Sequence, residues 1–378
     1  MSFAIPFNKP YFSGLETRYI EQAVRSGKIS GDGLFTRRVH DYFEQQLGFG
    51  RALLTTSCTD ALELAALLLD IRPGDEVLMP SFTFVSAANA FVLRGARVVF
   101  VDSTPLNPNL DADALAALVT PRTRAIVPVH YAGIACDLDA VLAVARQHQL
   151  AVVEDAAHAI DSYHRGRPLG SLGQLGTFSF HETKNIIAGE GGLLAINDPQ
   201  YAARAEVMRE KGTSRSAFFR GEVAKYSWID VGSSFLPSDI IAAYLWAQLE
   251  NLADIQQRRR AIWERYAQAL APLVARGVGL PQVPAYATSN GHLFYLVCRS
   301  LAERTALIAG LRRRGIMAVF HYVPLHGSPY YAPRHDGRAL PWADHYGDCL
   351  VRLPLFYELT AAEQDHIIGA VLQFYRIC

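Results

Sequence analysis

One lysine in this sequence has a setting that suits covalent chemistry. Lys184 stands between Thr183 and Asn185, after the strand-like residues 176–180 (GTFSF) and before the glycine cluster 189–192. This setting predicts a loop at the edge of a sheet. Loop lysines are most often solvated, but a lysine with a lowered pKa forms a Schiff base with a carbonyl compound such as pyridoxal phosphate. The segment by itself leaves both interpretations open.

Two adjacent carboxylates, Glu154 and Asp155, end the apolar run that begins at Ala151. Successive strand residues point to opposite faces, so only one of the two can face a given ligand. We expect Asp155, at the end of the strand, to face a site beyond the sheet, where a carboxylate would keep a pyridine nitrogen protonated. A helix cap or a structural ion pair explains the pair equally well, and His158 is more often a packed histidine than a catalytic one.

A third segment, residues 55–60 (TTSCTD), places small hydroxyl side chains where a strand gives way to a helix. Free backbone N–H groups and the positive end of a helix dipole at such a point can hold a phosphate, although Ser and Thr are also ordinary helix caps. Phe84, after the strand that follows, offers a flat aromatic surface, but core packing is the commoner fate of Phe. Each signal is weak on its own.

The elements that would position these residues follow an α/β rhythm. Between residues 51 and 200, short apolar runs alternate with helical patterns, which predicts a mainly parallel sheet covered on both faces. Ligands of such sheets bind beyond the carboxyl ends of the strands. Residues 237–276 form a long helical pattern, and a second unit of strands and helices follows residue 291. We therefore predict a large domain over residues 1–240 and a smaller C-terminal α+β domain over residues 241–378, which includes the long linking helix.

The composition restricts the class of protein. The 378 residues are 50% hydrophobic, and 36 basic side chains balance 36 acidic ones, so the chain should fold and should not be drawn to nucleic acid or to a membrane surface. The five cysteines are scattered and form no CxxC pair, which favours a reducing, cytoplasmic location. No GxGxxG leads from a strand into a helix, and no metal-ligand spacing appears among the histidines.

The motifs together resemble those of a known family. The series SCTDAL, MPSFTFVSAANA, VVEDAAHA, FSFHETKN and GEGG is similar to that of the DegT/DnrJ/StrS-type sugar-nucleotide aminotransferases, which depend on pyridoxal 5'-phosphate. The resemblance runs from about residue 5 to residue 356. It implies the aspartate-aminotransferase fold (fold type I). Segments such as SGKISGDGLFTRR and AVFHYVPLHG are most similar to the TDP-4-amino-4,6-dideoxygalactose transaminases within that family.

The resemblance also implies how a cofactor would be held. Lys184 would form the covalent link and later move a proton between the substrate carbon and the cofactor, and Asp155 would pair with the pyridinium nitrogen. The other contacts would come from Phe84 on the ring face, His158 near the ring oxygen, and Cys58, Thr59 and Ser179 at the phosphate. Many relatives have Gly at the position of Cys58, and many have Gln at the position of His158.

A homodimer with active sites at the subunit interface is a further implication. Relatives reach the phosphate of the neighbouring subunit with an Asn, and Ser234 stands at that position here, so its contact would be shorter or bridged by water. Candidates for contacting the sugar nucleotide are Arg215, Arg220, His321 and Tyr322. A solvated surface explains the two arginines equally well, and core packing explains the other two.

The predicted reaction transfers an amino group from L-glutamate to C4 of TDP-4-keto-6-deoxy-D-glucose. Family members that dehydrate sugars carry His at the position of Lys184, so the lysine favours transamination. A 3-keto or GDP-linked sugar, and a non-catalytic regulator with the same fold, remain alternatives. A NAD-dependent sugar enzyme would need the glycine fingerprint that this sequence lacks.

Overall fold

The computed structural model describes residues 3–377, and its centre is a seven-stranded sheet with the order β1-β9-β8-β5-β4-β2-β3. Only β9 runs against its neighbours, β1 and β8, and the other pairs are parallel. A two-stranded hairpin, β6 with β7, lies outside it. The nine strands are β1 (Arg51–Thr55), β2 (Glu76–Pro80), β3 (Arg97–Val101), β4 (Thr123–Ile126), β5 (Ala151–Asp155), β6 (Tyr163–His164), β7 (Arg167–Pro168), β8 (Leu175–Ser179) and β9 (Gly192–Ile196).

Helices cover both faces of this sheet, and a smaller sheet follows them in the chain. The smaller sheet has the order β10-β12-β11 and is antiparallel. Its strands are β10 (Phe294–Val297), β11 (Val319–Phe320) and β12 (Leu350–Leu353). The helices are α1 (Glu16–Arg25), α2 (Leu34–Asp41), α3 (Cys58–Leu68), α4 (Val85–Val92), α5 (Leu115–Leu118), α6 (Leu138–His148), α7 (Ala202–Arg209), α8 (Arg215–Phe219), α9 (Asp239–Glu250), α10 (Leu252–Ala269), α11 (Leu301–Arg313), α12 (Pro341–Cys349) and α13 (Ala361–Phe374).

The direction of the strands brings four chain segments to one edge of the large sheet. Strands β1, β2, β5 and β8 point the same way, so the residues that follow Thr55, Pro80, Asp155 and Ser179 emerge together. Each of the predicted cofactor segments follows one of these strands, and the α/β fold class with a mainly parallel sheet is as predicted.

Three hydrophobic clusters form the core. Alternating strand residues such as Leu53 and Leu54 contribute to the clusters on the two faces of the large sheet. The third cluster joins the C-terminal sheet to α10, α11 and α13, and it includes Ile5 from the N-terminal segment. Helix α9 packs on α1 and α2, whereas Ile262 and Tyr266 of α10 belong to the third cluster. The domain boundary near residue 240 stays a prediction.

Several predicted elements were wrong in length. The apolar residues up to Tyr131 predict a strand that ends there, but β4 ends at Ile126, because Pro128 has no N–H to donate to a neighbouring strand. The helical pattern of residues 237–276 breaks at Asn251, whose side-chain amide donates to the Ala247 carbonyl. The pattern of residues 111–119 predicts a helix, but this segment forms a 3-10 turn followed by the single turn of α5. None of the helices described in residues 3–377 is both long enough and apolar enough to cross a bilayer.

Candidate active site

A cavity of about 850 Å³ opens at the carboxyl ends of these four strands. Its walls also include residues that precede β10, follow β11 and belong to β12. Of the twelve residues predicted for the site, nine line it: Cys58, Thr59, Phe84, Asp155, His158, Ser179, Lys184, His321 and Tyr322. Tertiary structure therefore brings together residues that are up to 264 positions apart in sequence, counted from Cys58 to Tyr322.

Lys184 lies in the loop between β8 and β9, and its neighbour anchors that loop. The Lys184 N–H donates to the His181 carbonyl (2.9 Å). The buried side-chain amide of Asn185 donates to Gln256 Oε1 of α10 (2.8 Å) and to the Asn290 carbonyl (3.0 Å). Burial lowers the pKa of the Lys184 amine to about 8, against the opposing charge of Asp155. The amine is thus far more often neutral at physiological pH than that of an exposed lysine.

Asp155 ends β5 and faces the cavity, whereas Glu154 does not. Asp155 Oδ1 accepts the Ala157 N–H (3.0 Å), and burial raises the pKa of its carboxyl. Glu154 instead accepts the backbone N–H groups of residues 170, 172 and 173 and contacts His130 Nε2 (3.0 Å). The adjacent carboxylates therefore have different surroundings: Glu154 holds a loop, and Asp155 is free for a cationic ligand.

His158 is held as a neutral ring. The Ala132 N–H donates to His158 Nδ1 (3.3 Å), so the proton of the neutral imidazole is on Nε2. Burial lowers the pKa of His158 well below its usual range. The ring packs on His292, with centroids 4.2 Å apart, and His292 Nδ1 in turn donates to Asn185 Oδ1 (2.8 Å). Sequence reasoning missed His292, because only the fold brings the residues before β10 to this cavity.

The N-terminus of α3 forms another part of the wall. Ser57 caps the helix by accepting the Asp60 N–H (3.0 Å), and the Thr59 hydroxyl donates to Ser86 Oγ (2.8 Å). Gly192 lies between Thr55 and Ser179 in the sheet. A Cβ at Gly192 would lie 2.3 Å from the Ser57 carbonyl carbon, so only glycine lets β9 approach this closely. The positive end of the α3 dipole and the Ser179 hydroxyl therefore share one region suited to a phosphate.

The opposite wall comes from the C-terminal unit. His321 Nδ1 and the Tyr131 hydroxyl are 3.0 Å apart, and the Phe84 and Tyr322 ring centroids are 6.1 Å apart. Phe84 is 57% exposed in the single chain, which leaves its ring available to a ligand. Arg352 of β12 also lines this wall and was missed. Its signal was a single arginine inside the apolar run of residues 350–356.

Three predicted residues lie outside the cavity lining. Arg215 pairs with Glu210 (3.2 Å), and Arg220 pairs with Glu206 (2.9 Å) and with Glu222. Ser234 is exposed. All three belong to the segment between α7 and α9.

A family model matches residues 11–372 of the chain: the DegT/DnrJ/EryC1/StrS aminotransferase family. The chain belongs to this family. Among solved structures it is similar to the aminotransferase TlmJ from Streptoalloteichus hindustanus, with 33% identity, 98% and 99% of the two chains covered and a TM-score of 0.91. It is also similar to S. venezuelae DesV, with 30% identity, complete coverage of both chains and a TM-score of 0.89.

A third relative bears on the cofactor. The putative sugar aminotransferase Spr1654 from Streptococcus pneumoniae, in its PMP form, is 27% identical, covers 98% of this chain and 99% of its own, and superposes with a TM-score of 0.91. Its PLP form has also been solved. The family and these similarities confirm the predicted fold type I and pyridoxal phosphate as the cofactor. The chain is a transaminase.

The residues of the cavity fit this cofactor. A lysine with a lowered pKa suits an aldehyde, the cavity-lining carboxyl of Asp155 suits a pyridinium nitrogen, and the N-terminus of α3 suits a phosphate. His158 presents an N–H donor, which suits a ring oxygen. Each of these assignments of a residue to a part of the cofactor stays a prediction.

Proposed function

We propose that this transaminase moves an amino group from L-glutamate to C4 of TDP-4-keto-6-deoxy-D-glucose, giving TDP-4-amino-4,6-dideoxy-D-galactose. The observation that carries the proposal is the meeting of Lys184 and Asp155 in one cavity beside the N-terminus of α3. The sugar follows from the resemblance of segments such as SGKISGDGLFTRR and AVFHYVPLHG to transaminases with this product. The relative Spr1654 is itself described as a putative sugar aminotransferase.

Pyridoxal phosphate, when bound, withdraws electrons from the carbon that carries the amine. The chain's own residues supply orientation and proton transfer. The Lys184 amine, with its lowered pKa, takes a proton from the carbon of the amino donor and returns one to C4 of the sugar. Asp155 would keep the pyridine nitrogen protonated, and the His158 Nε2–H would hold the ring oxygen.

The size and walls of the cavity support a substrate larger than an amino acid. A volume of about 850 Å³ lies in the upper part of the range for small-molecule sites. His321 and Tyr322 offer polar groups on the wall opposite Lys184, and we assign them to the hydroxyl groups of the sugar.

We propose a homodimer that completes each site. The segment between α7 and α9 carries a row of exposed apolar side chains, of which Trp228 is 81% and Phe219 68% exposed. Such a patch favours burial against another protein surface. Arg215, Arg220 and Ser234 belong to the same segment, and we assign them to the cavity of the partner subunit. The four cysteines of the described residues are free, which suits a cytoplasmic enzyme.

The decisive experiment combines purified protein, L-glutamate and TDP-4-keto-6-deoxyglucose and identifies the product by mass and NMR. We expect an amino group at C4 with the galactose configuration. Lys184→Ala should abolish the visible absorbance band of the lysine-bound cofactor and lower turnover by at least about 1,000-fold, since covalent anchor and proton carrier are both lost.

Glu182→Gln serves as the matched control, because Glu182 is an exposed residue of the same loop that does not line the cavity. Amination of a 3-keto or GDP-linked sugar in preference to the TDP-4-keto sugar would contradict the proposed substrate. Full turnover by Lys184→Ala would contradict the mechanism.

A further inference from the structure

A small cluster of metal-ligating side chains lies outside the active-site cavity, between α6 and the hairpin of β6 and β7. Asp137 and Asp139 lie at the N-terminus of α6, and His164 ends β6. One ligating atom from each of the three lies within 4.8 Å of the other two. None of the three lines the cavity that contains Lys184. The fold, and not a spacing in the sequence, brings the histidine to the two carboxylates.

His164 distinguishes this cluster from an ordinary group of surface acids. Only 1% of its surface is exposed, and its buried Nε2 finds no hydrogen-bond partner among residues 3–377. Asp139 Oδ2 lies 4.0 Å from this nitrogen, which is too far for a hydrogen bond. A buried polar atom without a partner is costly, so this nitrogen points to a ligand that completes it.

The fold holds the His164 ring in place. The ring centroid lies 5.2 Å from that of Tyr286, and the residue pairs with Arg167 in the hairpin and forms a β-bridge with Ala287. Burial also lowers the pKa of His164, which favours the neutral imidazole, the form that binds metals. The nitrogen is therefore presented to a ligand with little further loss of side-chain freedom.

The two carboxylates keep capacity for an ion. Asp137 Oδ1 caps α6 by accepting the Ala140 N–H (3.1 Å), and Asp139 Oδ2 accepts the Arg165 Nε–H (2.7 Å). Each carboxylate has about four lone-pair positions, so both can accept a further partner. The Arg165 side chain is 64% exposed and can turn to solvent. The two negative charges then exceed the roughly half positive charge of the helix dipole at this end of α6.

We propose that Asp137, Asp139 and His164 bind one zinc ion, which joins α6 to the hairpin. One imidazole nitrogen and two carboxylate oxygens suit Zn²⁺, with water as the fourth ligand. An ion about 2.0–2.1 Å from each atom spans the 4.0 Å between His164 Nε2 and Asp139 Oδ2. The imidazole disfavours Mg²⁺ and Ca²⁺, which prefer oxygen ligands. This site does not depend on the proposed sugar reaction.

Zinc titration of the holoenzyme tests the site. Zinc-free holoenzyme competes with a chromophoric chelator for Zn²⁺, which gives the dissociation constant. Anomalous scattering at the zinc edge, from a crystal grown with one equivalent of Zn²⁺, locates the ion. The variants are His164→Gln, Asp137→Asn and Asp139→Asn, and asparagine at position 137 can still cap α6. The control His366→Gln changes an exposed histidine beside Asp365, outside the cluster.

We expect one Zn²⁺ per chain and an anomalous peak beside His164. Each variant of the cluster should weaken binding by at least about 10-fold, because even the loss of a residue that only orients a ligand costs 10- to 100-fold. Arg165→Gln should instead tighten binding by roughly 3- to 10-fold, since it removes the cation that competes for Asp139. His366→Gln should bind as wild type does, and a thousandfold excess of Mg²⁺ should not displace the zinc.

Three results would overturn the inference: no binding of Zn²⁺ to wild type at micromolar concentration, an anomalous peak elsewhere in the molecule, or binding that the cluster variants leave unchanged. His164 is buried, so the unfolding transition of its variant is measured without zinc. If that variant does not fold, Asp139→Asn decides the matter, because Asp139 is exposed. None of these readouts uses turnover, so a failure of the proposed sugar reaction leaves the test of the zinc site intact.

Discussion

The electrostatic character of single residues in the cavity follows from burial. Burial lowers the pKa of the Lys184 amine, raises that of the Asp155 carboxyl and lowers that of the His158 imidazole. In each case burial shifts the equilibrium toward the neutral form. A cationic pyridine ring would stabilise the ionised form of Asp155, so cofactor binding and the ionisation of this residue should be coupled.

The lowered pKa of Lys184 predicts the pH dependence of cofactor capture. Only the neutral amine attacks an aldehyde, so the rate at which apoenzyme takes up pyridoxal phosphate should rise with pH. The midpoint should lie near 8, where the amine loses its proton, and not near 10.5, the ordinary value. Stopped-flow absorbance of the visible band across this range measures the midpoint. A rate that keeps rising to the ordinary lysine value would show that the amine is solvated in the apoenzyme.

At the scale of elements, the site depends on close approach between β9 and α3. Gly192 is the first residue of β9 and pairs with Thr55 at the end of β1 and Ser179 at the end of β8. The glycine cluster after Lys184 therefore has a packing role as well as a role in the loop. It allows the antiparallel strand to begin against the cap of α3.

We predict that Gly192→Ala displaces the N-terminus of α3. The added Cβ would lie 2.3 Å from the Ser57 carbonyl carbon and oxygen, so backbone must shift. The free energy of unfolding should fall by about 1–3 kcal/mol, and the dissociation constant for pyridoxal phosphate should rise. Chemical denaturation and titration of the apoenzyme with cofactor measure the two effects.

Gly369→Ala is the matched control for this prediction. Gly369 lies within α13, and a Cβ there would meet nothing within 4 Å. This control should leave cofactor binding unchanged and raise the free energy of unfolding by about 0.5–1 kcal/mol, because alanine favours a helix. If Gly192→Ala left cofactor binding unchanged, the packing of β9 against α3 would not be what positions the phosphate region.

At the scale of the whole molecule, the segment between α7 and α9 exposes apolar side chains that the single subunit leaves unburied. Trp228 and Ile229 are 81% and 58% exposed. The segment also carries Arg215, Arg220 and Ser234, which the single subunit leaves outside its own cavity. One partner surface would account for both the exposed apolar side chains and these polar ones.

We predict that Trp228→Ser with Ile229→Ser weakens the proposed dimer. Loss of two apolar anchors from the proposed interface should raise the dissociation constant by at least about 30-fold, equivalent to about 2 kcal/mol. Sedimentation velocity over a range of concentrations measures it, and turnover should fall in parallel. Val274→Ser, which alters an exposed apolar residue of the C-terminal unit, is the control. A variant that stays dimeric and active would refute the assignment of this surface.

The sequence by itself determined the local part of this description. Alternating apolar runs specified the α/β class, and residue types at the ends of strands indicated Lys184, Asp155 and the cap of α3 as candidates, because backbone propensity and side-chain chemistry act over a few residues. The apolar pattern overestimated the lengths of two elements. Strand β4 ends before Pro128, and the long helical segment is interrupted at Asn251.

Tertiary structure alone decided which distant side chains meet. His292 and Arg352 have ordinary local settings, and only the packing of the C-terminal sheet against the strand ends brings them to Lys184. Tertiary structure also decided that Arg215, Arg220 and Ser234 lie outside the lining of their own subunit's cavity. The physical reason is that burial and charge proximity are properties of the folded chain, whereas a sequence specifies only the groups that are available.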